Sequence, residues 1–202
     1  MLNMSFLVLS KGGQLFLITT SLINSKEVHI PMERNVKQIT INLETNILAI
    51  LSEENTVKVV YLPNIIGIDK NLYELCSDTF FINSSPNETL KMIEFSDYQI
   101  LLYKSNGVFF RVGLSTENIL AKKLLKMNKI EEVEHLASMK RRNAIWSILA
   151  GWAIENGSVD LAIRSYSHLG QLYKVEFLQD GQENSSSESL LSRLQLIQGE
   201  II

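Results

Sequence analysis

The period of the apolar residues changes once along this chain, at Leu114, and that change restricts the fold more than any other feature. Before Leu114 the apolar residues come in short alternating runs, the repeat of a half-buried β-strand. After it they recur about every 3.6 residues, the repeat of an amphipathic helix. A chain of 202 residues is long enough to bury a core, either as one large domain or as two small ones. The expected division is a strand region over 1–114 and a helical region over 115–202.

The strand region opens with Phe6–Ser10 and Gln14–Thr20, separated by Lys11-Gly12-Gly13. The glycine pair supplies the positive φ that a tight hairpin turn needs. Between Val36 and Tyr61 three further runs follow one another: Val36–Asn42, Ile47–Leu51 and Thr56–Tyr61, with Pro63 ending the last. Their β-branched and aromatic content predicts an antiparallel meander. The pattern returns in Thr89–Phe95, Tyr98–Tyr103 and Val108–Val112, where Asn106-Gly107 is a strong hairpin signal. The two triplets lie about 50 residues apart, the length of a propeller blade of the WD40 or kelch kind. The Trp-Asp and Gly-His dipeptides of WD40 repeats are absent, so a β-sandwich stays open as the alternative. Two to three blades fall short of the ~four to eight that close a propeller, so the chain is expected to be a fragment.

In the helical region, Ser115 or Thr116 starts a helix whose expected apolar face includes Ile119, Leu120, Leu124 and Met127. A second helix, Ile130–Met139, offers Ile130, Val133, Leu136 and Ala137. Asn143 is expected to cap the third helix, which carries Ile145, Trp146, Ile148, Leu149, Trp152 and Ala153. Gly157 ends it, and Ser158 caps a fourth with Leu161, Ala162, Ser165, Tyr166 and Leu169 inward, closed by Gly170. A fifth helix over Gln171–Leu178 places Leu172, Val175 and Leu178 inside. Asp180–Ser187 reads as a polar linker, and a last helix begins at Glu188. Gly199–Ile202 resembles the opening of another repeat, so the C-terminus, too, is expected to be cut.

Chemistry is sparse. The net charge of −3 gives no attraction to nucleic acid or to an anionic membrane, and Lys140-Arg141-Arg142 reads as a solvated turn between helices. Cys76, the single cysteine, forms no internal disulfide and suits a reducing compartment. The apolar start, Met1–Leu9, reads as a first strand, and no apolar run approaches the ~20 residues that span a bilayer. His29, His135 and His168 lie far apart without partners at ligand or triad spacing. Glu53-Glu54 and Glu131-Glu132 are adjacent pairs whose side chains diverge, unsuited to joint acid–base work. Trp146 and Trp152 read as repeat core. No catalytic, cofactor or metal site is expected, and no cofactor.

The stretch Arg142–Leu178 resembles the eighty-kilodalton WD40-repeat subunit family of intraflagellar transport complex B. Ile145-Trp146 stands for that family's Leu-Trp pair, and Ala150 and Ala153 for its small positions. Ala162-Ile163 and Tyr166 match its second helix, with Ile163 in place of a glutamate. Leu169–Leu178 matches its closing segment, with Tyr173 in place of an acidic residue. Tyr98–Val112 is similar to the last hairpin of the family's second propeller. The resemblance implies a partial WD40-like β-propeller, its last two to three blades, followed by a TPR-like α-helical solenoid segment. It also implies a non-enzymatic scaffold that acts in anterograde transport and cilium assembly. The implied partners are other complex B subunits and, indirectly, the kinesin motor, without nucleic acid or membrane insertion. The implied location is the cilium or flagellum, the basal body and the cytoplasm. Vesicle-coat and transport complex A subunits share this architecture.

Overall fold

A computed structural model of the chain describes residues 6–9, 12–20, 27–67, 69–83, 88–96, 98–140 and 142–183. Several antiparallel sheets are followed by helices. The molecule divides into two compact units, one of residues 1–64 and 77–119, the other of residues 65–76 and 120–202.

Among the described residues the first unit holds three sheets in chain order. Strands β1 (Phe6–Leu9), β2 (Leu15–Thr20) and β3 (Glu27–Glu33) form the first. The second runs β4 (Val36–Asn42), β5 (Ile47–Ser52), β6 (Thr56–Val60) and β7 (Ser77–Phe81). The third is β8 (Leu90–Phe95), β9 (Gln99–Lys104) and β10 (Phe109–Gly113). All neighbouring strands are antiparallel. The turns match the sequence signals: Gly13 and Gly107 have positive φ, and asparagines Asn46 and Asn55 take the same region beside β5. Two strands lie where the sequence suggested none. β3 carries Pro31, which an edge strand tolerates. β7 joins the Val36–Val60 meander as its fourth strand. β5 is buried nearly throughout, from Ile47 to Leu51, as befits a strand covered on both faces.

The Gln38 side chain joins two sheets. Gln38 Nε2 donates to the Met92 carbonyl at 2.8 Å, and the Met92 amide donates to Gln38 Oε1 at 2.8 Å. The side-chain amide thus takes the place of a peptide group between β4 and β8. Register shifts lie at Val36/Gln38 in β4 and Met92/Glu94 in β8, so each ladder has a backbone irregularity where this bridge forms.

In the second unit, α1 (Lys70–Leu75) follows a short 3-10 turn at Pro63–Gly67. Helix α2 (Thr116–Lys126) crosses from one unit into the other. Then come α3 (Ile130–Lys140), α4 (Asn143–Glu155), α5 (Val159–His168) and α6 (Leu172–Glu183). Helix α4 packs against α3, α5 and α1, and α5 packs against α6. Its Ala150, Gly151 and Ala153 are buried and small, which lets neighbouring backbones approach closely. Gly157 and Gly170, both at positive φ, end α4 and α5 as the sequence indicates.

Four helical details differ from expectation. Arg142, in an extended conformation, holds the N-cap position of α4, and Asn143 is its first helical residue. Leu120 and Met127 of α2 are exposed; Ile119, Ala121 and Leu125 are its buried apolar residues. Leu172 is also exposed, whereas Leu178 is buried as expected. Helix α6 runs on through Asp180 to Glu183, so the expected polar linker begins as helix. The helix expected from Glu188 and the repeat opening at Gly199–Ile202 lie outside the described residues.

Candidate functional site

Asp69 is the centre of the most developed polar cluster. It caps α1: its Oδ1 accepts from the amides of Asn71 at 2.9 Å and Leu72 at 3.3 Å. Its Oδ2 accepts from the Tyr166 hydroxyl of α5 at 3.0 Å and from the Lys174 ammonium of α6. Asp69 is 1% exposed and Tyr166 is fully buried. Burial, then the adjacent Asp69 carboxylate, holds the Tyr166 phenol well above its usual range. The Lys174 ammonium also stands 5.1 Å from the Tyr166 ring centroid. One carboxylate therefore fixes α1, α5 and α6 together. Such a closed cluster has every oxygen engaged, which suits anchoring and leaves no free base for catalysis.

Two half-buried groups of opposite charge, Lys122 on α2 and Glu155 on α4, act on each other. Burial pushes the Lys122 ammonium below its usual range, and Glu155 partly restores it. Burial likewise pushes the Glu155 carboxyl up, and Lys122 opposes that shift. In the strand unit, the Tyr61 hydroxyl donates to Asp78 at 2.7 Å and accepts from the Ser115 amide at 3.3 Å. Burial, followed by Asp78, raises the Tyr61 phenol far above its usual range. These contacts tie β7 and the segment leaving β10 to the residue that follows β6.

The residues weighed for chemistry are placed as follows. His29 is exposed on β3 and His135 is exposed on α3. His168, at the end of α5, stacks on Trp146 with ring centroids 3.9 Å apart and planes 12° from parallel. Trp146 is otherwise buried, and Trp152 is half-buried. Cys76 is fully buried and its thiol donates to the Tyr73 carbonyl. Glu53 and Glu54 are exposed in the β5–β6 turn; Glu132 pairs with Lys129 in the first turn of α3. Among the described residues no three His, Cys, Asp or Glu side chains gather as metal ligands would. Among the described residues no helix is long and apolar enough to cross a membrane.

The remaining candidates are surfaces. Phe81, Ile93, Tyr98, Val108 and Phe109 are exposed apolar residues of the strand unit; Met127, Met139, Leu172 and Tyr173 are exposed on the helical unit. Sequence reasoning missed Asp69 and its partners, since 97 and 105 residues separate Asp69 from Tyr166 and Lys174. The available signal was local: an aspartate one residue before Lys70-Asn-Leu-Tyr-Glu-Leu, the position of an N-cap.

No family model matches the chain. Over 154 residues, 74% of this chain and 19% of the relative, it is 23% identical to "Intraflagellar transport protein 80 homolog" of Mus musculus. Over 198 residues, 96% of this chain, it is 21% identical to the protein of the same name from Rattus norvegicus, spanning 25% of that relative. The chain thus spans a quarter or less of the length of these curated relatives. From its strands through its helices, this chain is similar to intraflagellar transport protein 80 homologs.

Proposed function

We propose that this chain is part of a non-enzymatic scaffold subunit of intraflagellar transport complex B, serving anterograde transport and cilium assembly through protein–protein contacts. The observation that carries this reading is the similarity to intraflagellar transport protein 80 homologs over 96% of the chain. A similarity confined to the helices would fit many repeat proteins; this one runs through the sheets as well. On this reading the three antiparallel sheets are the last blades of a WD40-like propeller, with β4 and β8 as neighbouring inner strands. The helices α2–α6 open a TPR-like solenoid. The partners are other complex B subunits and, through them, the kinesin motor. The protein resides in the cilium or flagellum, at the basal body and in the cytoplasm. The closed polar clusters, with their carboxylates engaged in capping and pairing, support a structural role over a catalytic one.

A fluorescently tagged copy of the protein in a ciliated cell tests this. The expected result is signal along the axoneme and at the basal body, with complex B subunits co-purifying. Signal confined to Golgi or endosomal membranes, or co-purification with transport complex A instead, would overturn the assignment.

A further inference from the structure

We propose that β10 is a docking edge that takes an extended, acidic segment of a partner protein as an additional antiparallel strand. The inference is drawn from the third sheet alone and does not rest on the transport reading.

The hydrogen-bond pattern shows which groups are available. The Lys104 amide donates to the Val108 carbonyl, and the Leu114 amide donates to the Tyr98 carbonyl. In an antiparallel ladder such pairs recur every second residue, so Phe110 and Val112 also direct their peptide groups toward β9. The N–H and C=O groups of Phe109, Arg111 and Gly113 therefore point away from the sheet. Among the described residues no strand lies beyond β10.

This edge lacks the proline and the register irregularities found at β3, β4 and β8, and its one charged residue is Arg111. β3 carries Pro31 and a register shift opposite it; β4 and β8 are each irregular where they meet their partners. β10 pairs with β9 in unbroken register from Phe109 to Gly113 and contains no proline, lysine or acidic residue. Val108 and Phe109 beside it are 50% and 60% exposed.

The side chains state what would fit. Phe109, Arg111 and Gly113 share one face, with Phe109 against Tyr103 at 5.0 Å between ring centroids. Lys91 is exposed opposite Tyr103 in the same sheet. Arg111 is exposed and has no ion-pair partner among the described residues. Two copies of β10 pairing through all three outward residues would set Arg111 against Arg111, a like-charge pair that opposes self-association. A partner strand instead places a carboxylate opposite Arg111, an aromatic residue over the bare backbone of Gly113, and a β-branched residue against Phe109. Read from its N-terminus, that partner is aromatic, any, acidic, any, β-branched.

The probe is the acetylated, amidated heptapeptide Thr-Tyr-Thr-Glu-Thr-Val-Thr, titrated into the isotopically labelled 202-residue chain and followed by amide NMR shifts. The expected result is saturable shifts at Phe109, Arg111 and Gly113. Replacing the peptide's glutamate by lysine should weaken binding roughly tenfold. Gly113→Pro removes one outward N–H while leaving the bonds to β9 intact, and should abolish the shifts. Arg111→Glu should reverse the preference between the two peptides, which decides the matter even if the proline variant folds poorly. No shift at millimolar peptide, equal binding of both peptides by the parent chain, or concentration-dependent pairing of the chain through β10 would each overturn the proposal.

Discussion

Asp69 uses its two oxygens for separate tasks, and the consequences of removing each can be ranked. Oδ1 satisfies two amides at the start of α1, a contribution of about 0.5–2 kcal/mol. Oδ2 meets the Tyr166 hydroxyl and the Lys174 ammonium in a site that is almost dry. Asp69→Ala strands both groups, and breaking a buried pair from one side costs about 3–5 kcal/mol. The two losses share one side chain and are not summed. Lys174→Met is expected to cost less, about 1.5–3 kcal/mol, because Asp69 retains Tyr166 and two backbone N–H groups. Urea unfolding followed by tryptophan fluorescence reads this directly, since Trp146 and Trp152 both belong to the helical unit. Equal losses in the two variants would mean that the capping and Tyr166 contacts contribute nothing.

At the scale of elements, Lys122 of α2 and Glu155 of α4 each act on the other's charge, and this coupling has a pH signature. Glu155 has a raised folded-state pKa, so above its ordinary value of 4.5 the folded protein still holds a proton that the unfolded chain has released. Stability from this group therefore falls as pH rises through that window. Lys122 has a lowered folded-state pKa, so its effect lies on the alkaline side, below its ordinary 10.5, where stability rises with pH. Glu155→Gln removes the acid-side slope. The expected outcome is that the stability difference between parent and variant moves against the parent as pH rises from 4.5 to 7. A difference that stays flat over that range, measured by urea midpoints, would rule this out. Helix and strand identities were largely legible because their periods are local: Tyr98–Val112 alternates around Asn106-Gly107, and Gly157 and Gly170 mark helix ends. β7 was not, since Ser-Asp-Thr-Phe-Phe does not alternate. α1 was not, being six residues long, too short for a helical period to register. The Asp69 cluster was illegible for a different reason: its members meet only once the chain between them has folded.

The whole molecule is not cut where its sequence pattern changes. The helical unit takes residues 65–76 from between β6 and β7, so the chain passes from the strand unit into the helical unit, back again, and then over once more through α2. That segment supplies Asp69 and, fully buried, Ile65, Leu72, Tyr73 and Cys76. Burying three large side chains of this kind contributes roughly 5–9 kcal/mol, comparable to the entire ~5–15 kcal/mol stability of an ordinary domain. A piece beginning at residue 120 is therefore expected to lack a stable core despite carrying α3–α6 whole. Its far-UV circular dichroism should melt broadly, and its tryptophan emission should be shifted to the red. Joining residues 65–76 to the same piece through a flexible linker should restore a single cooperative transition. Asp69→Ala within the joined segment should remove most of that gain, because the cap and the Lys174 pair are what direct α1 to its place. A piece from residue 120 that melts as sharply, and at the same temperature, as the intact chain would show that the helices need nothing from the strand region.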